Sequence, residues 1–161
     1  MASTVQPDPK FMRMAIELAT KNVRSGRGGP FGAVVVRNGE VIAAAANSVT
    51  SSNDPTAHAE VNAIRAACRA IESFQLDDCD VYTSCEPCPM CFAALYWSRC
   101  RAVFFGNTKT DAAAAGFDDS FLYDEVKRPI EERRIPFAQF LGDEAIESFD
   151  VWKHSTERID Y

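Results

Sequence analysis

Tyr-Thr-Ser-Cys-Glu-Pro-Cys-Pro-Met-Cys, residues 82–91, joins a strand-like run to a helix-like one. Cys79-Asp80-Val81-Tyr82-Thr83-Ser84 reads as a strand. Met90, Phe92, Ala93, Ala94, Leu95 and Trp97 make the following helix apolar on nearly every side, so it is expected to be buried. At the junction Cys88 and Cys91 flank Pro89-Met90, and a Pro-Cys-x-x-Cys at a helix start aims both sulfurs at one point. The positive end of that helix lowers the pKa of thiols held there. Upstream, His58-Ala59-Glu60 offers a third ligand in His58. Three protein ligands leave one corner of a tetrahedral zinc open to water, the catalytic rather than the closed arrangement. Glu60 then stands as the proton carrier for that water.

Two bland readings compete. Cys85 lies three residues before Cys88, so His58, Cys85, Cys88 and Cys91 could close a structural zinc and leave Glu60 an ordinary acid. A Cys-x-x-Cys can also be a redox pair, but that reading gives Pro87, Pro89 and His-Ala-Glu no role.

Bulk properties narrow the classes. The 161 residues suit a single domain, 1–161, with a proper core. A hydrophobic share of 47% and a charged share of 25% are ordinary for a soluble globular protein. The net charge of −6 argues against a partner bound through many phosphates, so no nucleic acid is expected. Met1 to Pro7 shows no basic segment followed by an apolar run, and no apolar stretch could span a bilayer, so neither secretion nor a membrane is expected. The expected compartment is reducing and cytoplasmic, with Cys68, Cys79 and Cys100 as small core residues rather than disulfide partners.

Working outward, Asp8-Pro9 reads as a helix N-cap and first position, with Phe11, Ala15, Leu18 and Met12, Ile16, Ala19, Val23 as the apolar stripe and Gly26 as terminator. Gly28-Gly29-Pro30-Phe31-Gly32 lacks the Gly-Lys-Ser/Thr of a phosphate loop and reads as backbone running close to a ligand or turning into a strand. Phe31 is either core or a stacking face for a planar base. Ala33 to Arg37 and Glu40 to Asn47 form a hairpin about Asn38-Gly39, a type I′ signal. Asn47 is a turn residue or a base contact offering one donor and one acceptor side by side. Asn53-Asp54-Pro55-Thr56 is expected to start the second helix, with Val61, Ile64, Cys68 and Ile71 buried. Within a regular first turn, His58 and Glu60 would point about 200° apart, so an irregular turn or a long reach is required. Ala102 to Gly106 is a fourth strand, Thr110 to Ala115 a short helix ended by Gly116, Pro136 to Leu141 a fifth strand, and Gly142-Asp143 the start of a last helix. Asp118 and Asp119 are N-caps or site acids, and His154 a solvated surface residue. Helices alternating with strands imply a mixed sheet covered on both faces.

With these motifs placed, the chain resembles the cytidine deaminase-like superfamily, and within it the bacterial-type guanine deaminases. The resemblance rests on Gly-Gly-Pro-Phe-Gly-Ala-Val at 28–34, Asn-Asp-Pro-Thr-Ala-His-Ala-Glu-Val at 53–61, residues 82–91, Ala-Gly-Phe-Asp-Asp-Ser-Phe at 115–121 and Glu-Glu-Arg at 131–133. His-x-Glu followed by Pro-Cys-x-x-Cys is the pattern of zinc-dependent nucleobase deaminases. The resemblance implies an α/β fold, a three-layer αβα sandwich on a five-stranded mixed sheet. It implies one zinc per chain on His58, Cys88 and Cys91, with Glu60 as proton shuttle. Phe31, Asn47, Ala59 and Asp119 would contact a small-molecule base. It implies a domain-swapped homodimer in which a C-terminal segment of about 143–161 crosses to the partner, with Tyr161 covering the neighbour's pocket. The implied reaction is hydrolytic deamination of guanine to xanthine and ammonia. Guanosine, cytosine, cytidine or a triazine could fit the same chemistry, and a tRNA adenosine deaminase or a non-catalytic zinc module would be the more distant readings.

Overall fold

Asp8 and Pro9 open the first helix as the sequence requires: the Asp8 carboxylate accepts from the Lys10 N–H at 2.8 Å, and Pro9 needs no partner for an N–H it lacks. The structure, a computed structural model, describes residues 5–161; Met1 to Thr4, part of the N-terminal stretch read above, lie outside the described residues. The backbone divides into two units, Met1–Asp119 and Ser120–Tyr161.

The first unit runs α1 (Pro9–Arg24), β1 (Gly32–Arg37), β2 (Glu40–Ala46), α2 (Val49–Ser52), α3 (Ala59–Ala70), β3 (Cys79–Cys85), α4 (Pro89–Ser98), β4 (Ala102–Asn107) and α5 (Lys109–Ala114). Its sheet has the order β2-β1-β3-β4, with β1 antiparallel to both neighbours and β3 parallel to β4. Asn38 and Gly39 take φ of 52° and 79°, the paired left-handed values a type I′ turn needs. Every residue of β3 and all but the last of β1 are buried, as strands covered on both faces must be. Alternation sends Ala33 and Val35 to the α3 side with Ala63, Ala67, Val81 and Leu95. Val34 and Val36 go to the α1 side with Phe11, Ala15 and Tyr82. Helices thus lie on both faces of the sheet.

The second unit holds α6 (Ser120–Lys127), a single 3-10 turn (Ile130–Glu132) and α7 (Gly142–His154). His154 is exposed at the end of α7, as read from sequence.

Four expectations change. The sheet described here has four strands, not five: residues 136–141 join no ladder. Pro136 has no N–H to give one, and Leu141 turns to φ 53°, outside strand space. The second expected helix start is displaced. A short helix, α2, occupies the polar run, Asn53 ends it at φ 51°, and Asp54 instead caps a turn by accepting from Thr56. The face of α3 against the sheet is Ala59, Ala63 and Ala67, each fully buried, while Ile64, Cys68 and Ile71 flank it. Alanine lets the helix approach the sheet closely, and the larger residues then fill the sides. Finally, α4 is not enclosed: Cys91, Leu95 and Ser98 face inward, whereas Phe92, Tyr96 and Trp97 are exposed. A helix offers one stripe to a flat sheet, so its opposite face needs a further layer to be covered.

Gly32 marks the closest approach of α1 to the sheet. A Cβ there would strike the Ala15 carbonyl oxygen and sit 2.8 Å from both Ala19 N and Leu18 Cβ. Backbone atoms in a helix cannot step aside, so Gly32→Ala should destabilise by about 1–3 kcal/mol. At about 2–4 °C per kcal/mol for a chain of this size, the loss is readable in a thermal melt. An unchanged Tm would mean that α1 docks less tightly than described.

Candidate metal and base-binding site

His58 and Cys88 are the N-caps of α3 and α4, both in extended backbone, with φ/ψ of −69°/156° and −64°/167°. Standing just outside their helices, they are free of helical phase. That removes the 200° difficulty: Glu60 lies inside the first turn of α3 and His58 outside it. Pro89 at the first position of α4 fixes the turn after Cys88, and Cys91 follows within it. The Cys88 loop is tied down by Glu86, whose N–H donates to the Asn107 carbonyl at 2.8 Å and whose carboxylate accepts from Lys109 N at 2.9 Å.

The His58 Nδ1 lies 3.5 Å from each of the Cys88 and Cys91 sulfurs, and the three donor atoms all fall within 4.8 Å of one another. A tetrahedral zinc with Zn–S of about 2.3 Å and Zn–N of about 2.0–2.1 Å needs nitrogen and sulfur about 3.6 Å apart. The donor set therefore fits zinc as it stands. The Cys88 thiol is pulled well below its usual range, first by the Cys91 sulfhydryl and then, against the opposing effect of burial, by His58. Cys91 moves upward, since it supplies the proton of that bond and is buried.

Cys85 is not in this group. Its buried sulfhydryl points to the Thr108 carbonyl at 3.8 Å, and burial pushes the thiol up to about 11. All six cysteines are free, with Cys79 in the core and Cys68 and Cys100 half-buried.

Glu60 is only 5% exposed. Its Oε1 lies 3.2 Å from the Thr83 hydroxyl, which is also 3.1 Å from the Cys85 carbonyl. Burial raises its carboxyl above the usual range, opposed by a backbone hydrogen bond and by the neighbouring Cys91 and His58.

The remaining residues divide. Asn47 is buried at the end of β2, and the next residue, Ser48, donates its N–H to the Ala57 carbonyl at 2.9 Å, beside His58. Its Oδ1 accepts from Val49 N at 3.2 Å and Gly29 N at 3.4 Å. The acceptor expected to face a base is thus already engaged, and Nδ2, which takes no partner among the described residues, is the group left to offer. Phe31 is half-buried against the core, with Phe117 edge-on to it at 5.0 Å. Asp119 is half-buried; burial first, and then the charge of Cys88, raise its carboxyl. Ala59 is fully enclosed and faces the core. Tyr161 is an exposed residue of the second unit.

Comparison with known proteins gives the family. The cytidine and deoxycytidylate deaminase zinc-binding region matches residues 5–107, which contain both halves of the triad. The chain belongs to the cytidine and deoxycytidylate deaminase zinc-binding family. Within it, the chain is 54% identical to a guanine deaminase of Bacillus subtilis (strain 168) over 94% of its own length and 97% of the relative's. It is 43% identical to a tRNA-specific adenosine deaminase of Aquifex aeolicus (strain VF5), over 59% of this chain and 62% of that one. The solved structure of a guanine deaminase from Bacillus subtilis superposes with a TM-score of 0.94 at 52% identity, covering 97% of this chain and 99% of the other.

Three side chains that order this deaminase site were not singled out by sequence. Asn62 donates to the carbonyls of Ala46 at 3.0 Å and Ala57 at 3.3 Å and to the Ser48 hydroxyl at 3.1 Å, which joins the end of β2 to the His58 segment. Asn22 and Thr83 are the other two. Asn22 had a signal: it continues the Phe11, Ala15, Ala19 stripe, where an amide needs internal partners.

Metal analysis of two variants tests the ligand set. Cys88→Ala should lose its zinc, and Cys85→Ala should keep one zinc per chain. Zinc retained by the first, or lost from a folded second, would reassign the ligands.

Proposed function

We propose that this chain is a zinc-dependent aminohydrolase that converts guanine and water to xanthine and ammonia, with His58, Cys88 and Cys91 as metal ligands and Glu60 as proton carrier. The observation that carries the reading is a zinc-sized donor triad with a buried carboxyl, Glu60, in hydrogen-bond reach of Cys91, in a chain alike over nearly its whole length to a guanine deaminase. Bound zinc supplies the Lewis acidity that makes water available for attack at neutral pH.

The rest falls to the chain. Glu60 takes a proton from the attacking water through its carboxylate oxygen and passes it to a ring nitrogen. Water oxygen bonds to C2, the C2–N bond breaks, and Glu60 delivers the second proton to the departing amine. A buried carboxyl with a raised affinity for protons suits this double duty, because it must accept and release within one turnover. Thr83 holds the carboxyl oxygen in place. Asn47 meets an acceptor on the base through Nδ2, Asp119 a donor, and the Phe31 side of the site borders the ring. With a net charge of −6, the chain suits a small neutral base better than a polyanion. Six free thiols suit a reducing, cytoplasmic setting.

The reading extends to a homodimer. The exposed Phe92, Tyr96 and Trp97 face of α4 supports burial against a second copy. We assign residues of about 143–161 to a segment exchanged between copies, with the partner subunit's Tyr161 over the pocket. Removing residues 156–161 should leave the dimer intact in sedimentation and abolish turnover; full activity would remove the lid role.

Ammonia release from guanine, guanosine, adenine, cytosine, cytidine and a melamine-type triazine tests the substrate. Guanine should be the preferred member, and release from another alone would overturn the base assignment. Glu60→Gln should keep its zinc and lose about 10²–10⁴-fold in kcat. Near-normal turnover would dismiss Glu60 as the carrier.

A further inference from the structure

Asn22 is 7% exposed and lies on α1, outside the metal motifs. Its Nδ2 donates to two carbonyls on different segments, Gly29 at 2.9 Å and Asn47 at 2.8 Å. Without it these two oxygens would face each other across a narrow gap with no donor between them. The gap is narrow because the backbone at Gly28 passes against them: a Cβ there would strike the Asn47 carbonyl oxygen and lie 2.9 Å from Asn22 Nδ2. The same junction carries the Gly29 N–H to Asn47 Oδ1, and Asn47 N donates to the Phe31 carbonyl at 3.0 Å. Asn22 is therefore the pin where α1, the 28–31 loop and the end of β2 meet.

The pin decides what Asn47 can say to a ligand. Two backbone N–H groups converge on its side-chain oxygen, so a flipped amide would set NH₂ against both N–H groups and lose both bonds. With oxygen held inward, the carboxamide presents a donor only. We infer that Asn22 is a positioning residue for base recognition: by clamping Gly29 to Asn47 it fixes the Asn47 amide with its NH₂ outward, so the site reads a hydrogen-bond acceptor on the edge of a purine. This rests on the reading of Asn47 as a base contact.

A double-mutant cycle over Asn22→Ala and Asn47→Ala, measured with guanine, tests it. Each single variant should raise KM about tenfold, the size of one lost directed hydrogen bond, with kcat within about twofold, because the contact is made equally in ground and transition states. The inhibition constant of xanthine, which is not turned over, should rise in parallel. The double variant should be no worse than Asn47→Ala alone, since Asn22 acts through Asn47. Asn22→Ser, which retains one donor, should recover part of the loss in KM. Additive losses, or a fall in kcat and zinc content with KM unchanged, would show a scaffold role and overturn the inference. So would failure of both Asn22 variants to fold. An unchanged KM in Asn47→Ala would instead remove the base contact itself, whereas a raised KM there and a normal one in Asn22→Ala would remove only the pin.

Discussion

Three soft donors from two distant stretches must meet within a few ångströms, and the fold achieves this by starting two helices at the same end of one sheet. His58 and Cys88 each occupy the residue before a helix, where the backbone is still extended and the side chain can be aimed freely. The helices that follow contribute their positive ends, which favour a thiolate at Cys88 and a carboxylate at Glu60. For Glu60 the opposing effect of burial is larger. Lying in the first turn of a helix is worth about 0.3–1 kcal/mol to the charged form, while enclosing a charge costs several kcal/mol. Burial wins, and the carboxyl holds its proton more firmly than an exposed glutamate does.

Around the donors, the connecting loops are ordered by amides rather than by apolar packing. Asn62 gathers acceptors from both sides of the β2–α3 connection, and Asn22, on α1, does the same between the 28–31 loop and the end of β2. Loops leave carbonyls without ladder partners, and a buried carbonyl left unpaired is costly. A side-chain NH₂ that serves two or three of them at once closes the account locally and sets the spacing of the segments. Geometry at the site therefore depends on residues outside the donor triad.

Much of this was readable from the chain. The four strands of the sheet start and end within a residue of their sequence-derived limits, because alternation, the Asn38-Gly39 turn and the glycine and proline breaks are local signals. Both motif halves announced the donor triad, and the free sulfhydryl of Cys85 is accounted for by its bond to Thr108, a contact no spacing rule supplies. What was missed is non-local. The alanine face of α3 carries little hydrophobic weight in sequence, so the larger Ile64 and Ile71 drew the stripe instead. Phe137 and Phe140 lent 136–141 a strand-like look, but a ladder needs a partner that composition does not name. Nor does the identity of Asn47 say which end of its amide is spoken for.

The alanine face has a consequence for how this chain can change. A helix seated on the sheet through Ala59, Ala63 and Ala67 leaves no flexible side chain to take up added volume. Ala67 lies two turns from Glu60, about 10 Å along the axis, yet any enlargement there is passed on as a rigid shift of the helix that carries Glu60 and begins at His58. Variation in this part of the core is thus coupled to the reactive centre. Drift that other proteins absorb as neutral repacking would here be filtered by turnover, and the tolerant positions should be the exposed flanks of α3 instead.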